Sequence, residues 1–114
     1  MADASEIERQ LNLTPQERLI VDYHRRNLLN PGRDDAGRPV TVYSTGIKLM
    51  RGPNAGKFVS VPGFVNGRIV NDENELYRIW QREIDLGMWP MDESGDVLNE
   101  RSKAIHQIMD LEGE

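Results

Sequence analysis

The sequence predicts an α+β fold, and three observations indicate it. Helix start signals occur at Thr14-Pro15 and again at Asp72. Between them, residues 39–70 are rich in valine, isoleucine and phenylalanine, which favour strands. Glycine- and proline-containing turns divide that region. We therefore predict one domain over residues 1–114, a small antiparallel meander of about three strands with N-terminal and two C-terminal helices packed on one face.

The first predicted helix, residues 5–11, is short. Ser5 and Glu8 have capping-box spacing, in which the serine oxygen and the glutamate each satisfy a free backbone N–H. Because this segment has few apolar residues, we expect residues 1–12 to form a frayed N-terminal segment.

The second helix has a stronger start signal. Thr14 is a good N-cap, Pro15 suits the first helical position, and Glu17 completes a capping box. The helix is predicted to run to about Leu29, because Asn30-Pro31-Gly32 cannot continue it. Residues 31–38 are predicted to form a surface loop.

The strand region shifts its apolar phase. Apolar residues fall on even positions at Val40 and Val42 and on odd positions at Ile47 and Leu49. Since strand side chains alternate with period two, the shift indicates either a bulge at Gly46 or a tight turn there. We favour one bulged strand.

Two hairpin turns are predicted after it. The glycine-rich residues 51–56 form the first, returning into residues 57–61, and Asn66-Gly67 forms the second through a type I′ turn. After the strands, one helix is predicted from Asp72 to a Gly87 cap, and another over residues 96–111.

The net charge of the chain is −5, but the charges are distributed in blocks along the sequence. Residues 24–70 contain eight Lys or Arg and two Asp, a net +6, whereas residues 71–114 contain twelve acids and four bases, a net −8. The candidates for binding an anion or a nucleic acid are in the basic block: Lys48, Arg51, Lys57 and Arg68. The alternative, which we favour, is that these charges are solvated or face the acidic C-terminal helices, since nucleic-acid-binding domains are usually basic overall.

A compact apolar segment, Met88-Trp89-Pro90-Met91, is the candidate partner interface. Tryptophan and methionine are enriched in interface cores, so Met88, Trp89 and Met91 would supply the contacts. The alternative, which we favour, is that the segment folds over the end of the core between the last two helices.

Several chemistries lack support. The chain has no cysteine, which excludes disulfides and thiolate sites and favours a reducing compartment. Residues 52–57 lack the spacing and the following helix of a nucleotide-binding loop. His106 and Asp110 supply too few ligands for a metal. We predict no catalytic residue, metal or cofactor, no membrane association, and a cytoplasmic location.

Three classes of function therefore stay open. The first is an accessory or interaction module without catalytic activity, which binds a protein partner or a second copy through a sheet edge or the Trp89 segment. The second is anion or, less favoured, nucleic-acid binding through the basic hairpin. The third is an enzyme with an unrecognised site near Tyr43 and His24.

Overall fold

The computed structural model describes residues 3–113 and confirms the α+β fold. The helices are α1 (Ala4–Leu11), α2 (Pro15–Asn27), α3 (Glu73–Asp85) and α4 (Gly95–Gly113). The strands are β1 (Gly32–Arg33), β2 (Pro39–Val40), β3 (Ser44–Lys48), β4 (Phe58–Pro62), β5 (Phe64–Val65), β6 (Arg68–Ile69) and β7 (Met91–Asp92). The helices at both ends of the chain pack on the sheet.

The main sheet has three antiparallel strands in the order β3-β4-β7. Its third strand is β7, which comes from the segment after α3, while the Asn66-Gly67 turn closes a separate hairpin of β5 and β6. Val59, Ser60 and Val61 of the central strand β4 are all buried. Because successive side chains of a strand point to opposite faces, both faces of β4 are covered.

The predicted bulge at Gly46 is wrong. β3 and β4 pair in regular register, with Gly46 opposite Ser60. The apolar phase changes at Tyr43 instead, whose φ of 55° lies in the left-handed region and turns the chain. Val40 therefore belongs to β2 and not to the strand that contains Ile47. β2 pairs with β1, which lies inside the predicted surface loop.

Helix starts follow the predicted capping chemistry with one exception. The Thr14–Glu17 capping box at the start of α2 is present, and the Asp72 side chain caps α3. The cap of α1 is the Asp3 carboxylate, which accepts from the Glu6 N–H at 2.8 Å, and not Ser5. Asp3 directly precedes the helix, where its carboxylate reaches the free N–H groups of the first turn, whereas Ser5 lies inside the helix.

The core lies between the sheet and the helices, and its centre includes Ile20, Val61, Leu76, Ile84 and Ile108, all nearly inaccessible to solvent. Beside it, three aromatic rings pack edge to face, with centroids 5.3–6.4 Å apart: Tyr23, Trp80 and Trp89. Trp80 is fixed further by its indole N–H, which donates to the Pro62 carbonyl at 2.9 Å. This core holds β4, and through it β3, in place.

Candidate functional site: an open sheet edge and a basic cleft

The outer edge of β3 is open. Within residues 3–113, β3 pairs with β4 alone and forms one border of its sheet. The Leu49 N–H donates to the Lys57 carbonyl at 2.8 Å, so the backbone of Leu49 faces β4. Backbone groups alternate in direction along an antiparallel strand, and the N–H and C=O groups of Gly46 and Lys48 therefore face away from β4.

Solvent reaches this edge. Gly46 and Lys48 are exposed, and a Cβ atom placed on Gly46 would meet no atom within 4 Å. The Lys48 ammonium lies over the Phe58 ring of β4, 5.8 Å from its centre. Tyr43 and Met50, at the two ends of the strand, are 42% and 80% exposed. The edge thus combines unpaired backbone, a lysine and two exposed apolar side chains.

The four predicted basic residues do not form one cluster. Lys48 lies over Phe58, and Arg68 is ion-paired with Glu75 of α3. Lys57 lines a cleft between the hairpin loop, the α1–α2 junction and α4. Arg51 lies over the Tyr77 ring, 5.5 Å from its centre.

Arg51 has a basic neighbour that the sequence reasoning missed. A second cleft, of about 320 Å³, is lined by Arg51, Asn74, Tyr77, Arg78 and Gln81. The last four follow the spacing i, i+3, i+4, i+7, which places them on one face of α3. That polar stripe is visible in the sequence, but only the folded hairpin brings Arg51 to it.

The Met88-Trp89-Pro90-Met91 segment lies mostly inside the protein. Trp89 is 5% exposed and packs against Tyr23 and Trp80, while Met91 is partly buried in β7. Met88 is the most exposed of the three, at 39%. Trp89 therefore contributes to the core, and Met88 alone offers a substantial surface to a partner.

The larger cleft, of about 610 Å³, contains a buried ion pair at its wall. Glu17 is 4% exposed, and Arg101 donates to its two oxygens at 2.6 and 2.7 Å. Burial alone would raise the pKa of Glu17, but hydrogen bonds from Arg101 and Thr14 and the charge of Arg101 outweigh it, so the pKa is lowered. This carboxylate is fully engaged in joining α2 to α4.

His24 is buried, and its neighbours are polar. Its Nδ1 lies 2.6 Å from the Thr41 hydroxyl and its Nε2 lies 3.7 Å from the Glu112 carboxylate. Burial lowers its pKa, although Glu112 acts in the opposite direction. Neither of the two clefts is lined by His24 or Tyr43, so an enzymatic site near them stays a prediction.

Over residues 3–113, no three His, Asp or Glu side chains are grouped so as to hold a metal ion. In the same part of the chain, none of the helices combines the length and the apolar character needed to span a membrane. No protein-family model, curated protein or solved structure matches the chain.

Proposed function

We propose that this chain is a protein-interaction module that receives an extended, acidic segment of a partner protein as an additional strand along β3. The observation that carries the proposal is the outward-facing backbone of Gly46 and Lys48 on an exposed edge. An edge strand with unpaired N–H and C=O groups is a ready template for strand addition.

Hydrogen bonding supplies the affinity in such a complex. Gly46 and Lys48 each offer one N–H and one C=O, and Ser44 lies at the next outward-facing position. The missing side chain at Gly46 lets a partner backbone approach closely in the middle of the strand. The other border of the sheet, β7, has only two residues and offers a much shorter template.

Charge supplies the preference for an acidic segment. Lys48 lies on the open strand itself, and Arg51 follows it in the hairpin loop. A carboxylate on the added strand next to Lys48 gains an opposite-charge cross-strand pair, whereas a lysine there would meet a like charge. The exposed Tyr43 and Met50 give apolar side chains of the partner a place to pack.

We propose a cytoplasmic location for this interaction, because a chain without cysteine needs no oxidising compartment.

Selection from a displayed library of linear peptides tests the proposal, followed by titration of the enriched peptides into labelled protein. We expect acidic, proline-poor peptides whose binding shifts the amide signals of Ser44–Lys48. Gly46→Pro removes an N–H that faces away from β4, so it should abolish binding and leave the β3–β4 pairing intact.

A charge reversal separates the electrostatic contribution from the backbone contribution. Lys48→Glu should weaken binding of acidic peptides and favour basic ones, whereas Lys103→Glu, the same change on the solvent-facing side of α4, should have little effect. Enriched peptides whose signals map elsewhere, or that bind Gly46→Pro normally, would contradict the proposal.

A second copy is the competing occupant of the edge. Antiparallel self-pairing about Gly46 would place Lys48 opposite Ser44 of the other copy and create no like-charge pair. Sedimentation over a wide concentration range distinguishes the two occupants. A dimer that Gly46→Pro dissociates would replace the partner segment with a second copy.

A further inference from the structure

The cleft between the hairpin loop and α3 has a lining made of hydrogen-bond donors. Arg51 and Arg78 supply two guanidinium groups, Asn74 and Gln81 two amides, and Tyr77 a phenol. No carboxylate is among these lining residues. Neither arginine has an ion pair among those described for residues 3–113.

The hairpin loop is fixed to α3, which holds Arg51 in place. The Asn54 side-chain amide donates to the Ile84 carbonyl at 3.0 Å, anchoring the loop near the end of the helix. Gly52 has a φ of 86°, and a Cβ there would lie 3.2 Å from the Asp85 carboxylate. Next to it, the Arg51 guanidinium lies over the Tyr77 ring, a geometry that favours a cation.

We propose that this cleft binds the phosphate group of a small phosphorylated molecule. Two guanidinium groups that line one cleft suit a tetrahedral oxyanion, because each can donate two parallel hydrogen bonds. The flanking amides and the phenol complete a set of neutral donors around it. The cleft volume of about 320 Å³ accommodates a phosphomonoester.

Charge distribution favours a small ligand over a nucleic acid. Binding a polyanion requires a row of cations along its backbone, but Lys57 lies at a different cleft and Arg68 is paired with Glu75. A single phosphate needs only the hydrogen-bond donors that line the cleft.

Titration of the full chain with inorganic phosphate and with phenyl phosphate, at constant ionic strength, tests this site. Amide and arginine side-chain signals in NMR spectra report both affinity and location. We expect saturable binding that shifts the signals of Arg51, Tyr77 and Arg78. Arg78→Gln keeps the helix and an exposed polar side chain, and should weaken binding about tenfold or more.

Arg82→Gln is the matched control, because Arg82 is an exposed arginine on α3 that does not line the cleft. The dissociation constant of Arg82→Gln for phosphate should stay within about twofold of that of the unsubstituted protein. Phosphate and phenyl phosphate distinguish the free ion from a phosphomonoester, and binding of either supports the proposal. No binding at millimolar concentrations, or equal losses in Arg78→Gln and Arg82→Gln, would overturn it. The outcome is independent of β3, since Gly46→Pro should bind phosphate normally.

Discussion

The buried pair between Glu17 and Arg101 is predicted to be a main link between α2 and α4. Glu17→Gln removes the negative charge but keeps the size of the side chain, and its carbonyl can still accept from the Thr14 N–H. The change places an amide against the guanidinium of Arg101, whose two donors at 2.6 and 2.7 Å lose their charged acceptor.

The magnitude follows from those two contacts. A hydrogen bond to a charged group contributes about 1.5–3 kcal/mol. The Arg101 side chain is 35% exposed and recovers part of that energy from water. We therefore expect Glu17→Gln to lower the free energy of unfolding by about 2–3 kcal/mol. At about 4 °C per kcal/mol for a chain of this size, Tm should fall by about 8–12 °C.

Urea unfolding followed by tryptophan fluorescence measures this change, because Trp80 and Trp89 lie in the core region. Thr14→Ala is the control for the helix cap alone and should lower the free energy of unfolding by about 1 kcal/mol. A double-mutant cycle with Arg101→Gln should give a coupling energy of at least ~1 kcal/mol. A loss below about 0.5 kcal/mol for Glu17→Gln, or a coupling energy near zero, would refute the reasoning.

Three further predictions follow from buried and strained residues. Burial lowers the pKa of His24 below its ordinary value of 6.5, so the unfolded chain binds the proton more tightly than the folded protein does. The contribution of His24 to the free energy of unfolding should be complete above pH 6.5 and should fall as the pH drops below it. His24→Gln should therefore reduce the dependence of the free energy of unfolding on pH between neutral and mildly acidic conditions. Gly52→Ala should lower the free energy of unfolding, measured in urea, by about 1 kcal/mol or more, because the φ of 86° at this position suits glycine. The same change should weaken phosphate binding by displacing Arg51. Trp89→Ala should lower the free energy of unfolding by about 3–5 kcal/mol through the cavity it leaves. Met88 is half-exposed, so Met88→Ala should lower it by under about 1 kcal/mol. Equal losses of stability in the two variants would contradict the buried placement of Trp89.

The parts of the fold that depend on local chemistry were predictable from the sequence. The capping box at Thr14 and Glu17, the Asp72 cap and the Asn66-Gly67 turn each depend on residues close in sequence, and each is present. The position of β7 was not predictable, because two residues from the loop after α3 become a strand only when β4 is beside them.

The same distinction applies to the candidate site. Lys48 and Arg51 could be chosen from the basic block, but whether they meet depends on the hairpin and α3. Arg78 was missed because its partner Arg51 lies far away in sequence, and only the anchored loop brings them to one cleft. The left-handed Tyr43 gave no recognisable signal either, since an aromatic residue rarely takes that conformation.

Residue-resolved amide hydrogen exchange of the free protein tests the open β3 edge most directly. The amides of Thr45, Ile47 and Leu49, which face β4, should exchange slowly, whereas those of Gly46 and Lys48 should exchange nearly as fast as unstructured amides. An acidic peptide that binds the edge should then slow Gly46 and Lys48 selectively. Strong protection of Gly46 and Lys48 in the monomeric, unbound protein would mean that the edge is already covered and would contradict strand addition at β3.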